Sequence, residues 1–296
     1  MNRISSTIRG YPLLCYFILA YGITWTGIVL IVGVDGLRSG GLELSGGLLV
    51  WVLMLCGPSV SGLLLTWIFE GKAGLRAFRE RMFRWRLPLR WYASLLVAPV
   101  TCALIVGVLW SYSSDFAPMF FAEPNKTFVV IMFFILVFGA FVEELGWTGF
   151  ATPRMHLVYG LAGTSLLLGF LHGTWHFLAD FSGRGDSGAV LFSANFIVFW
   201  IGALIVLRLL MVWVYQHTES LLLGQLLHAS YTAPLFVLTP PDASAAQLLL
   251  LWTSFSVLFA IATLAITSGR TTASTEAESI RSLPEALSSG RRPRTS

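Results

Sequence analysis

The chain has 296 residues, of which 56% are hydrophobic and 11% charged, and its formal net charge is +4. A soluble globular domain carries about 25% charged residues, so that class is excluded and the composition points to an all-α, polytopic membrane helical bundle. Cys15, Cys56 and Cys102 lie in separate apolar runs without redox or metal spacing, and read as small buried hydrophobes.

Crossing the hydrocarbon layer takes about 20 apolar residues. On that criterion eight transmembrane helices are expected, at 11–34, 45–69, 91–112, 127–152, 158–178, 189–213, 219–239 and 245–267. MNRISSTIRG precedes the first without a small-residue cleavage site, so the first run reads as a span and not a removed signal peptide. Between the second and third lies GKAGLRAFRERMFRWRLPLR, with seven Lys or Arg and the single acid Glu80. A basic amphipathic segment between two spans is expected on the cytoplasmic lipid surface; no nucleic-acid partner is expected. Placing it inside puts both termini in the cytoplasm and leaves only Arg38, Lys126 and Arg184 of the nineteen Lys and Arg outside. Arg208 falls on the inside in this count. Residues 1–267 thus form one transmembrane domain, and the Ser-, Thr- and charge-rich 268–296 reads as a disordered cytoplasmic tail.

Three spans carry ionisable groups in apolar surroundings. Each such group costs roughly 2.5–3.5 kcal/mol on the translocon-insertion scale, which makes it a candidate functional residue. The fourth span holds Glu143 and Glu144 in FGAFVEELGW, the fifth holds His172 and His176, and the seventh holds His228 followed one turn later by Thr232. Small residues share these faces (Gly139 and Gly146, Gly169 and Gly173, Gly224), so the three helices are expected to approach closely and pool their polar groups. Glu143 lies ten residues from the turn near Pro153, about 15 Å deep, and His228 nine residues past Glu219, about 14 Å. His176, eighteen residues into its span, is about 27 Å from the start. Meeting the others requires that helix to start later, tilt or break.

A carboxylate here can act as general base toward water, with a histidine sharing or returning the proton. A second histidine and a nearby hydroxyl can donate to the oxyanion of a tetrahedral intermediate. The same residues also form a metal-ligand pattern: His172 and His176 at i, i+4 suit zinc, with Glu143 and His228 completing the set. Zinc and metal-free water activation both remain open at this point. Asn195, in the sixth span, faces either the bundle or the site.

The runs EELGWTGFATPRM, LLHGTWHF and WVYQHTESLLLGQLLHASYT resemble the three motifs of the CPBP intramembrane metalloprotease family, which includes type II CAAX prenyl endopeptidases and bacterial Abi-type proteins. The resemblance covers about 127–235, within an expected catalytic core of 127–239. It implies that Glu143 with His176 activates water, that Glu144 supports, and that His228 with Thr232 forms the oxyanion site. Three positions depart from the motifs: Thr148 stands where the family has arginine, His172 where it has an aromatic, and Thr232 where it has asparagine. Near Thr148 in sequence, Arg154 is the available replacement cation.

The expectation is therefore a multi-pass plasma-membrane peptidase, bacterial in type, cleaving a peptide or membrane-protein substrate in or near the bilayer from the cytoplasmic side. Two alternatives use the same residues: a non-catalytic family member that binds a partner, and a transporter or proton relay.

Overall fold

The structure is a computed structural model that describes residues 10–39, 44–184 and 188–281, with side chains described at 10–39, 46–184 and 188–268. Arg3, Arg9 and the part of the expected tail from 282 onward lie outside the described residues. No strand occurs among the described residues.

The chain forms α1 (Pro12–Ser39), α2 (Leu44–Met82), α3 (Val97–Tyr112), α4 (Lys126–Gly146), α5 (Thr152–Trp175), α6 (Phe177–Ser182), α7 (Ala189–Phe196), α8 (Leu204–Thr218), α9 (Leu221–Leu238) and α10 (Ala245–Arg281). Two π-helical segments interrupt the series, Trp147–Ala151 between α4 and α5 and Ile197–Ala203 between α7 and α8. Seven runs are long and apolar enough to cross a membrane. One of them, Lys126–Ser182, has 57 residues. Straight, it would measure about 86 Å, nearly three times the hydrocarbon thickness. It doubles back at Gly160, whose φ of 63° and ψ of −168° lie outside the range open to residues with a Cβ. The seven runs therefore supply the eight helical limbs expected from the sequence.

A second bend, at Gly71, turns the basic end of α2 away from the spanning part. Phe78 is buried there while Lys72, Arg76 and Arg79 stay exposed, the amphipathic arrangement the sequence predicts. At this end of the bundle Arg154 pairs with Glu70, and Arg84 meets Glu219 at 2.9 Å. The basic end thus gathers the bend of α2, the π segment after α4, the end of α8 and the start of α9.

Two apolar clusters hold the bundle. One joins α3, α8, α9 and α10 through Cys102, Leu207, Met211, Leu227 and Phe255. The other joins α1, α2, the 147–151 segment and α5 through Tyr16, Leu65, Trp147, Phe150 and Leu168. Large apolar side chains such as Leu30, Leu104, Phe134 and Ile261 point outward, as lipid-facing positions do. The polar residues of α4, α5, α8 and α9 meet between the two clusters.

Candidate active site

Glu144 is fully buried on the last turn of α4. Arg208 of α8, also fully buried, holds both its oxygens, donating to Oε1 at 2.7 Å and to Oε2 at 2.9 Å. Thr148 donates its hydroxyl to Oε2, and His228 Nδ1 lies 2.8 Å from Oε1. A carboxylate so surrounded stays ionised, because two forked guanidinium hydrogen bonds are the strongest partners it can have in an apolar interior.

The same arginine reaches His172, with a guanidinium nitrogen 2.8 Å from Nδ1. Arginine only donates, so His172 Nδ1 must be the acceptor. The imidazole proton then sits on Nε2, which donates to Glu143 Oε2 at 3.3 Å. Arg208 thereby fixes both the charge partner of Glu144 and the tautomer of His172. Glu143 keeps its other oxygen for a further donor.

Helix packing sets these positions. A Cβ at Gly146 would fall 2.2 Å from the Pro58 carbonyl oxygen, so α2 comes against the Glu pair only because that residue is glycine. On the other side His176 stacks on Trp200 of the second π segment, ring centroids 3.7 Å apart. His172 packs between Trp147, at 4.9 Å, and Trp175, at 5.8 Å, so both tryptophans are walls of the site. Both π segments adjoin the site, as such insertions commonly do. α5 ends at Trp175 and α6 begins at Phe177, but His176 between them keeps helical dihedrals, so the break in this limb lies at Gly160 and not at His176.

Glu143, His176, His228 and Thr232 line one cavity of about 520 Å³. Its remaining wall includes Leu136 and Gly139 of α4, Phe236 of α9, and Thr239 just beyond it. Along every helix involved, these residues lie on the far side of the site from the basic end. The cavity therefore extends from the site away from the basic end of the bundle.

Among the expected site residues, the structure brings Glu143, Glu144, His172, His176, His228 and Thr232 together. The direct partner of Glu143 is His172, with His176 alongside. Arg154 does not replace the missing arginine: it pairs with Glu70 and lies over the Phe150 ring at 3.8 Å. The replacement is Arg208, which the charge count had placed among inside surface residues. Its signal was there, as the sole charged residue in the run 189–213. Asn195 faces a second cavity.

Ligand atoms of Glu143, His172 and His176 lie within 4.8 Å of one another, which is metal-like spacing. The chemistry of the donors does not fit. With Nδ1 accepting from Arg208, Nε2 of His172 carries the proton and has no lone pair for a cation. Moving that proton to Nδ1 would set it against the guanidinium N–H. His228 is not in the group, and its Nδ1 is engaged by Glu144.

A helical membrane bundle with a carboxylate and histidine cluster at mid-depth is the class that fold and site define. Residues 125–233 match the family model for the type II CAAX prenyl endopeptidase, Rce1-like. The CAAX prenyl protease 2 of Methanococcus maripaludis is 34% identical over 68 residues, which is 23% of this chain and 20% of that protein. The chain thus spans about a fifth of the length of that curated relative. The family match covers all three motifs.

Proposed function

We propose that the protein is an intramembrane peptidase that hydrolyses a peptide bond by water activated at Glu143, without a metal. The observation that carries this reading is that Glu143, His176, His228 and Thr232 face one cavity while Glu144 is locked behind them by Arg208. The family match on 125–233 supports peptide hydrolysis as the chemistry.

In this reading the free oxygen of Glu143 takes a proton from water as the oxygen attacks the scissile carbonyl. The hydrogen bond from His172 Nε2 orients the carboxylate, and His176 faces the water from its stack on Trp200. His228 holds a proton on Nδ1 toward Glu144, whose oxygen can only accept. The Thr232 hydroxyl donates to the carbonyl oxygen as the anion forms, with His228 beside it on the same cavity wall. The proton on Glu143 then passes to the leaving amine. Substrate enters from the end opposite the basic helix. With that helix on the cytoplasmic surface of a plasma membrane, entry is from the outer face.

The test is cleavage profiling of hydrophobic peptides in proteoliposomes, with wild type beside Glu143→Gln and His228→Ala. Peptides cut by wild type and spared by both variants are expected. Equal cutting by all three proteins would end the proposal.

A further inference from the structure

A second cavity, of about 310 Å³, adjoins the catalytic one and shares Asp180, Phe199, Trp200 and Trp252 with it as common wall. Asp180 sits one helical turn beyond His176, about 6 Å further toward the end from which the site is reached. It is half-buried beside the Trp200 indole, and no ion pair to it is found among the described residues. The proposed hydrolysis does not use it. An acid that lines a cavity without an ion pair is a candidate for a functional contact.

Asn195 lines the same cavity. Its Nδ2 donates to the carbonyls of Leu191 and Ala245, both at 2.9 Å, which fixes the amide orientation because carbonyls only accept. Its Oδ1 is left buried with no hydrogen-bond partner. Arg184 also borders the cavity, yet its guanidinium is occupied by the carbonyls of Leu37, Phe181 and Arg38 and lies over the Phe181 ring at 3.8 Å. The cavity thus presents the Asp180 carboxylate, which takes one hydrogen bond from the Trp200 indole, and the unpartnered Asn195 Oδ1, within aromatic walls.

We infer that Asp180 and Asn195 form a subsite for a cationic nitrogen of the substrate, a protonated lysine or arginine side chain or a free amino terminus, held next to the reacting bond. N–H donors satisfy Asn195 Oδ1 and the remaining acceptor capacity of the Asp180 carboxylate. A substrate carboxylate in this place would meet Asp180. The inference names the substrate class of the proposed peptidase and in that sense rests on it, but binding tests it without turnover.

The probe is a set of fluorescent hydrophobic peptides that differ in one scanned position (lysine, acetyl-lysine or glutamate) and in a free or acetylated amino terminus. They are titrated against full-length Glu143→Gln protein in phosphatidylcholine vesicles. At least one cationic peptide is expected to bind roughly tenfold or more tightly than its acetylated twin, the effect of one charge-assisted hydrogen bond. Comparing the lysine and amino-terminal arms identifies which nitrogen is recognised. Asp180→Asn in the same background is expected to abolish the preference and Asp180→Glu to keep it, which separates recognition from a folding defect. Equal binding of cationic and acetylated peptides, no binding of any cationic peptide, or a preference that survives Asp180→Asn overturns the subsite. Selective binding with no cleavage by wild type would instead sink the peptidase reading and leave the subsite standing.

Discussion

Arg208 and Glu144 form a forked ion pair, at 2.7 and 2.9 Å, between two helices and 64 positions apart in sequence, with both side chains fully buried. Thr148, where related motifs carry arginine, adds its hydroxyl to the same carboxylate.

Removing Arg208 should be severe. Arg208→Leu leaves Glu144 buried without its counter-charge, and the loss of one partner of such a pair typically destabilises by about 3–5 kcal/mol. Thermal unfolding in detergent should show the drop, together with loss of peptide cleavage. The double variant Thr148→Arg, Arg208→Leu should recover part of both, because the arginine then returns one helical turn from Glu144. A double variant no better than Arg208→Leu would mean that Arg208 acts through something other than this pair.

Glu143 stands apart from Glu144, as it meets His172 and not the arginine. Glu143→Gln preserves shape and removes the base. Its unfolding midpoint should stay close to wild type while cleavage falls by roughly 10²–10⁴-fold, the usual contribution of a general base. A cleavage rate within a few-fold of wild type would remove Glu143 from the mechanism.

Metal dependence follows from the tautomer of His172. Because Arg208 occupies Nδ1, chelation should leave the cleavage rate unchanged, and purified protein should carry well below one zinc per chain by elemental analysis. Stoichiometric zinc, or activity lost to chelator and restored by zinc, would contradict the arrangement.

Gly160 tests the fold separately from the chemistry. At φ 63°, ψ −168° an alanine is strained, by about 1–3 kcal/mol. A Cβ there would meet nothing within 4 Å, so strain and not a clash is the expected origin. Gly160→Ala should lower the unfolding temperature while keeping the peptide preference of whatever protein remains folded.

Much of the site could be read along the chain. Glu143, Glu144, His172, His176 and His228 each stand out because an ionisable group in an apolar helix is costly, and their small neighbours mark the faces that pack. Arg208 stands out by the same rule, yet a charge count by segment treats any arginine near a helix end as a surface residue. Asp180 is spaced from His176 like a site residue, but an acid near a span end carries no signal until a cavity is found beside it.

The amino-acid sequence by itself determined the class of the protein, the number of helical limbs and the three helices that bear the Glu and His groups. Composition, run length and helical period are local properties, and solvation by lipid enforces them segment by segment. Tertiary structure alone decided that Arg208 answers Glu144, that His172 and not His176 meets Glu143, and that the cavity runs away from the basic end. Each of these depends on the relative rotation and depth of separate helices. Close packing at glycines such as Gly146 and the competition of buried charges for partners set that geometry, and no single segment encodes it.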